Sequence, residues 1–196
     1  MTGRFTYWLP IALVAAAASG CGTSAPARFY TLESTATAGV APAARTGVLV
    51  GPVSVPASVD RSEFVVQVAP NRVEIDEFNR WAAPLGESIA RTVAGDLAAL
   101  LGTPDVATAP FANFDPVYRV TINVQRFHSV PGDSVLVDAV WAVRKTAGGE
   151  TRSGRTVARE AVSGEDFEAL AAAHSRALAM LSAEIAAAIR AVAAAR

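Results

Sequence analysis

The strongest pattern in the chain is a long amphipathic helix predicted near the C-terminus, from residue 165 to about residue 194. Large side chains recur there every three or four residues, which places them on one helical face. They are Phe167, Leu170, His174, Leu178, Leu181, Ile185, Ile189 and Val192. Ser163-Gly164-Glu165-Asp166 fits a capping box at its start. Such a helix is about 45 Å long and must bury its apolar stripe against another layer.

A second amphipathic helix is predicted from Pro84, which suits the first helical position because its missing N–H is not needed there. Apolar side chains again step at helical spacing, and Gly102 and Pro104 end the run. These side chains are Leu85, Ile89, Val93, Leu97, Leu100 and Leu101. Glu87, Arg91 and Asp96 lie largely off this stripe.

The second layer comes from short segments rich in β-branched and aromatic residues. They are residues 29–32, 48–55, 64–68, 72–75, 118–125, 135–143 and 152–162. Ala69-Pro70-Asn71 predicts a tight hairpin, and residues 33–46 predict a loop. The order is strands, helix, three-stranded meander, helix. It predicts an α+β two-layer sandwich, with two amphipathic helices on one face of a mostly antiparallel sheet.

The N-terminus carries a leader. Arg4 precedes an apolar run over residues 5–18, which at about 14 residues is shorter than the roughly 20 that a bilayer-spanning helix needs. We therefore predict a signal peptide over residues 1–20 that is removed. It ends at Ala18-Ser19-Gly20-Cys21, which contains the only cysteine of the chain.

Ala18-Ser19-Gly20-Cys21 resembles a bacterial lipobox, although Ala18 stands where leucine is most common. The resemblance implies that Cys21 becomes the first mature residue and carries covalent diacylglyceryl and N-acyl lipid. Ordinary cleavage with a free Cys21 and an uncleaved anchor are the alternatives. Gly22 follows the cysteine in place of aspartate, which by resemblance to sorted lipoproteins favours the periplasmic face of the outer membrane over the inner membrane.

Residues 21–28 are predicted to be a lipidated tether, and residues 29–196 a single domain. The tether is small, polar and proline-containing. Its roughly seven residues reach about 25 Å when fully extended, so the domain would stay close to its membrane. The sequence has 52% hydrophobic residues, which is enough for one sizeable core.

Little in the sequence indicates chemistry. Without residues 1–20 the chain has 16 basic and 18 acidic side chains, so no basic excess indicates a nucleic-acid partner. Gly86-Glu87-Ser88-Ile89-Ala90 only approaches a nucleophile elbow and falls inside a helix. His128 and His174 are isolated, with no metal-ligand spacing around them. We predict no enzyme, no metal site and no cofactor beyond the lipid on Cys21.

A recognition surface is the remaining possibility. Trp81 beside Arg80 could anchor an interface, because tryptophan and arginine are enriched at hot spots. Trp81 could instead hold the start of the helix against the core. Arg61, together with Arg72 and Arg80, could meet phosphate headgroups or an acidic partner. The sequence leaves these interpretations open.

Several stretches together resemble the ABC-type transport auxiliary lipoprotein family, the paraquat-inducible protein C-like group. The resemblance covers essentially the whole mature chain. The stretches are Cys21 leading into Arg28-Phe29-Tyr30-Thr31-Leu32, Val50-Gly51-Pro52-Val53, Val55-Pro56 before Asp60-Arg61, Glu77-Phe78-Asn79-Arg80-Trp81-Ala82-Ala83-Pro84-Leu85, residues 120–127 and residues 136–141.

The resemblance implies a periplasmic lipoprotein that is an auxiliary subunit of an MCE-type ABC transport system, which moves phospholipid or other lipids between the two membranes. Its partner would be the MCE subunit, and a homo-oligomer is left open. Two alternatives are a lipoprotein that regulates an envelope enzyme, such as a cell-wall synthase, and a domain that carries lipid itself.

Overall fold

The computed structural model describes residues 25–38, 47–109 and 113–194, so the predicted signal peptide and Cys21 lie outside the described residues. In chain order the strands and helices are β1 Arg28–Tyr30, β2 Val48–Ser54, β3 Glu63–Ala69, β4 Arg72–Trp81, α1 Leu85–Leu101, β5 Val106–Thr108, β6 Tyr118–Val130, β7 Ser134–Lys145, β8 Thr151–Ala161 and α2 Phe167–Ala194.

The larger sheet has five strands in the order β5-β2-β6-β7-β8. Strands β6, β7 and β8 form the predicted antiparallel meander. Strand β2 lies parallel to both of its neighbours, β5 and β6, with a register shift between Val50 and Val53. That shift surrounds Pro52, which lacks the N–H that a continuous ladder needs in a central strand.

The smaller sheet has three strands in the order β1-β4-β3. The predicted hairpin is confirmed, since β3 and β4 pair antiparallel around the Pro70–Asn71 turn. Strand β1 adds to it in parallel, with Phe29 beside Arg80 and Tyr30 beside Trp81. A bulge in β4 follows Asp76, whose Oδ1 accepts hydrogen bonds from the backbone N–H groups of Phe78 and Asn79.

Both helices pack on one face of the five-stranded sheet, with α1 against β2 and β5 and α2 against β6, β7 and β8. Their apolar stripes meet each other and the sheet in one core. Helix α2 is also long and apolar enough to span a bilayer by length and composition. Half of its most apolar window is buried inside the fold, so it serves as a core helix.

The α+β class and the two helices are confirmed, and three details differ. The sheets are mostly antiparallel as predicted but not purely so, because β1, β2 and β5 pair in parallel. Helix α2 begins at Phe167, and the carboxylate of Asp166 accepts the N–H of Ala169 at 2.7 Å, so Asp166 supplies the side-chain cap. Asp96 is completely buried instead of lying off the packed face of α1.

Candidate functional site

The segment that follows β1 is fixed to both helices by one buried carboxylate. Oδ1 of Asp96 accepts hydrogen bonds from the Ser34 hydroxyl at 2.7 Å and from the N–H groups of Thr35 and Ala36 at 3.0 Å. Its Oδ2 accepts the hydroxyl of Ser182, on α2, at 3.0 Å. A polar side chain buried this deeply is stable only when its hydrogen bonds are satisfied. These hydrogen bonds hold residues 34–36 against both helices.

Strand β1 carries two aromatic side chains, of which Tyr30 is partly buried against the core and Phe29 is exposed. Tyr30 packs edge-on against Phe64, at 5.5 Å between ring centroids, and its hydroxyl donates to Oδ1 of Asn79 at 2.8 Å. Successive residues in a strand point to opposite faces. Phe29 consequently points outward and is 64% exposed. This ring stands where the predicted tether, residues 21–28, would meet the domain.

Phe29 borders two depressions, and we call it and these depressions the tether-proximal surface. The larger, of about 800 Å³, runs between the segment after β1 and the first half of α2, where Ala171, Ala172 and Ala179 leave room. The smaller, of about 480 Å³, lies between Phe29 and the start of α1. Its lining is Phe29, Asp60, Arg61, Ser62, Trp81, Ala82, Ala83, Pro84 and Leu85.

The structure brings two of the three predicted interface residues together. Arg61 is exposed and lines the smaller depression with Trp81. Trp81 itself is only 5% exposed and stacks on Phe64 at 4.0 Å between centroids, so most of its ring belongs to the core. Arg80 does not line that depression. Its guanidinium donates to the carbonyl of Glu77 and lies 3.7 Å from Glu63.

Phe29 was missed as a candidate by the sequence reasoning. The segment 29–32 indicates a strand, but alternation alone does not say which of Phe29 and Tyr30 faces the core. Only the pairing of β1 with β4, which places Tyr30 over Phe64, decides it.

The interior beside this surface is an aromatic cluster that includes a buried histidine. The His174 ring stacks on Phe127 at 3.8 Å, and its Nε2 is 2.8 Å from the hydroxyl of Ser129. Nδ1 has no hydrogen-bond partner among the described residues. Complete burial, together with the nearby charge of His128, lowers the pKa of His174 to about 3. His174 is therefore neutral at ordinary pH.

This histidine should make stability fall on acidification. Below its unfolded pKa of 6.5 the unfolded chain takes up a proton that the folded chain refuses, so the free energy of unfolding should drop by up to about 1.4 kcal/mol per pH unit toward pH 3. The hydrogen bond from Arg155 lowers the pKa of Asp138 to about 2. Protonation of Asp138 therefore adds to this loss of stability only as the pH falls below its unfolded pKa of 3.8. Urea unfolding at about pH 7, 6, 5 and 4 measures this slope.

The matched variants for that slope are the two histidines of the chain. His174→Leu should flatten the dependence on pH between about 6.5 and 4, because it removes the proton uptake of the unfolded state at this position. His128→Gln, on an exposed position of β6, should retain most of the slope. A slope that survives His174→Leu would show that another group carries it.

Ser88, His128 and His174, the residues that the sequence offered for chemistry, do not line either depression of the tether-proximal surface. Ser129 and His174 form a hydrogen-bonded pair, but both are buried, and neither lines the depressions described above. Ser88 lies on α1 beside Arg91, with no histidine in contact. Residues 25–38, 47–109 and 113–194 contain no group of three or more His, Cys, Asp or Glu side chains that could hold a metal ion.

Solved structures share this fold at low sequence identity. A crystal structure of an uncharacterised protein matches with a TM-score of 0.66 and 20% identity, over 84% of this chain and 99% of that chain. Protein XCC0632 from Xanthomonas campestris, of family DUF330, matches with a TM-score of 0.67 and 20% identity, over 81% of this chain and 92% of that chain. At such identities the likeness concerns the fold alone.

A third solved structure is more distant. It is a PelC dodecamer from Paraburkholderia phytofirmans, with 17% identity over 76% of this chain and 90% of that chain. Its TM-score of 0.38 is too low to carry an argument. Comparison with curated protein sequences gives no match.

The family model for the ABC-type transport auxiliary lipoprotein component matches residues 30–186. That range runs from Tyr30 in β1 to Ala186 in α2, and so includes both sheets, α1 and most of α2. A match of this extent establishes membership, as the sequence motifs indicated. The chain belongs to the family of ABC-type transport auxiliary lipoprotein components.

Proposed function

We propose that this protein is anchored by lipid on Cys21 to the periplasmic face of the outer membrane, and that it is the auxiliary subunit of an MCE-type ABC system that moves lipids between the two membranes. The observation that carries the proposal is the family match over residues 30–186, on a chain whose apolar leader ends at the only cysteine. The ATPase, permease and MCE subunits are then separate chains, and this one docks the assembly.

The tether-proximal surface supports that role through its position. Phe29 follows Cys21 after only a short stretch of chain, and a partner that spans the periplasm would arrive at this end of the domain. An exposed aromatic ring between two depressions suits a docking site, because aromatic side chains bury much area at little entropic cost. Arg61, on the smaller depression, adds a charged donor at its rim.

The core supports docking in preference to carriage of lipid inside the domain. The side chains between the helices and the large sheet are packed to nearly zero exposure, including Leu97, Leu178 and Ile185. The depressions described here are open at the surface. A lipid chain would have to separate packed layers, and protein interiors resist that because they are close-packed.

Co-purification tests the proposal directly. Full-length protein with a C-terminal tag should retain the MCE subunit after mild detergent extraction, and Phe29→Ser should reduce the retained amount by about 10-fold, since buried aromatic anchors commonly contribute more than 1 kcal/mol. The matched control is Val73→Ser, which changes another exposed apolar side chain on β4, 56% exposed. It should leave retention near that of the wild type.

Deletion of the gene provides the functional measurement. We expect a weakened permeability barrier, restored by the wild type and not by Phe29→Ser. Retention of a cell-wall synthase in place of the MCE subunit would contradict the proposal and favour the regulator of an envelope enzyme. Absence of both association and phenotype would also contradict it.

A further inference from the structure

Among the described residues, both helices lie on one face of the five-stranded sheet, and no helix covers the opposite face. In the meander of β6, β7 and β8, alternate residues point inward, and Val120, Val137 and Ala158 are buried beneath the helices. The residues between them point to the opposite face. We call this opposite side of β6, β7 and β8 the outer sheet face.

The outer sheet face is strongly basic. Five arginines lie on it, and all five are exposed. They are Arg119 and Arg126 on β6, Arg144 on β7, and Arg155 and Arg159 on β8. Asp138 is the one carboxylate that the register places on this face of the three strands. The face therefore carries a net charge of about +4, although the mature chain as a whole is slightly acidic.

Asp138 neutralises only part of this charge. Its carboxylate is buried between two arginines, with Oδ2 at 2.8 Å from Arg126 and with Arg155 bound to both of its oxygens at 2.8 Å. The pair of hydrogen bonds from Arg155 is the strong bidentate form. The two arginines and the one aspartate together still carry one positive charge in excess. The side chains of Arg126 and Arg155 remain 46% and 59% exposed.

Two further arginines face each other without compensation. Arg119 and Arg144 are directly opposite on β6 and β7. The ion pairs found among the described residues do not include either of them. Like charges directly opposite in a sheet are destabilising. The fold tolerates this repulsion, and an anion bound from outside would relieve it.

The centre of the face is low and partly apolar. A depression of about 340 Å³ lies between the arginines of the two ends, over the small side chains of Thr121, Ala142 and Ser153. Val140 lines it and is 42% exposed, and Val157, farther along the same face, is 54% exposed. Arginines around small and apolar side chains suit a layer of phosphate groups with apolar material behind them, since guanidinium binds phosphate in two-point contacts.

We propose that the outer sheet face binds the headgroups of anionic phospholipids in the membrane to which the domain is tethered. The inference rests on the membrane anchoring of the proposed function, because the tether holds the domain within about 25 Å of a lipid surface. Many weak arginine contacts then act together with the acyl anchor, since each binding event is intramolecular once the other has formed. The domain lies on the bilayer with this face down.

Vesicle sedimentation tests the face without the anchor. The protein is the mature chain, residues 21–196, with Cys21→Ser; all core residues that the structure describes lie between Leu32 and Val192 and are kept. Vesicles are phosphatidylcholine alone, or phosphatidylcholine with one-third phosphatidylglycerol. We expect binding to the anionic vesicles only, and a steep loss of binding as salt rises from about 0.05 M to about 0.5 M.

Arg119→Gln with Arg144→Gln should weaken binding to anionic vesicles by about 30-fold, because each basic side chain near an anionic surface strengthens binding about fivefold. These side chains repel each other, so the double variant should fold at least as well as the wild type. The matched control is Arg91→Gln with Arg190→Gln, which removes the same charge from exposed positions on α1 and α2. It should bind as the wild type does.

Failure of anionic vesicles to bind at low salt would overturn the proposal, and so would equal losses in the two double variants. Binding of an acidic protein through Arg119 and Arg144, without vesicle binding, would also overturn it. The assay contains no transport subunit. Absence of vesicle binding would therefore not contradict association with the MCE subunit. Absence of co-purification would likewise not contradict binding of the outer sheet face to lipid.

Discussion

Replacement of Asp96 by alanine should lower the free energy of unfolding by about 2–4 kcal/mol, because it removes a completely buried carboxylate that accepts four hydrogen bonds. The donors are the hydroxyls of Ser34 and Ser182 and the N–H groups of Thr35 and Ala36. A domain of this size is usually stable by about 5–15 kcal/mol. The variant would therefore lose a large share of its stability, as measured by urea unfolding at pH 7.

Two variants make that measurement specific. Asp96→Asn keeps one carbonyl oxygen for the segment after β1 and can donate to the Ser182 hydroxyl, so it should cost less than Asp96→Ala. Asp105→Ala removes an exposed aspartate and should change stability by less than about 0.5 kcal/mol. Equal stability of Asp96→Ala and Asp105→Ala would mean that the buried carboxylate does not hold the segment.

Cys21→Ser should abolish stable membrane retention and leave the fold intact. The acyl chains on Cys21 would contribute about 0.8 kcal/mol for each buried methylene, which makes two or more chains a firm anchor. The core lies entirely beyond the tether in the described residues, so thermal unfolding should be unchanged. Fractionation should find wild type in the membrane pellet and Cys21→Ser in the soluble periplasm after a wash at high salt.

The salt wash separates the two modes of attachment. At low salt the outer sheet face could retain some Cys21→Ser protein on anionic lipid, and about 0.5 M salt should release it by screening. Gly22→Asp is the matched control, since by resemblance it keeps the acyl anchor and directs the protein to the inner membrane. Cys21→Ser protein that stays in the pellet at high salt would show that partner contacts, and not acyl chains, do the holding.

Periodicity predicted the elements better than it predicted their partners. The stripes of α1 and α2 and the alternation in β6 and β7 are local patterns, and local patterns determine which face is buried. The parallel pairing of β2 with β5 and β6 joins distant segments, and alternation carries no information about that choice. Strand β5 has only three residues, Val106–Thr108, which is too short for any period to show.

The sequence predicted only part of the candidate site, because the contacts that assemble it also join segments that are distant in the chain. Arg61 and Trp81 stood out by residue type, and they do lie at one depression. Asp96 looked like an ordinary polar residue at the margin of a helix, because its partners near residue 35 and at Ser182 are remote in sequence. The basic outer sheet face was invisible in a nearly neutral composition, since only the strand register gathers its arginines on one side.

The central position of β2 has a consequence for biogenesis. Val48 pairs with Val106 on one side and with Tyr118 on the other, and both partners follow it in the chain. With the export that the proposed function requires, N-terminus first, the apolar segment Val48–Val50 reaches the periplasm before either neighbour has emerged. Both backbone edges of this segment stay open during that interval, and open apolar edges invite aggregation. We therefore expect this segment to be most prone to aggregation before β5 and β6 are available to pair with it.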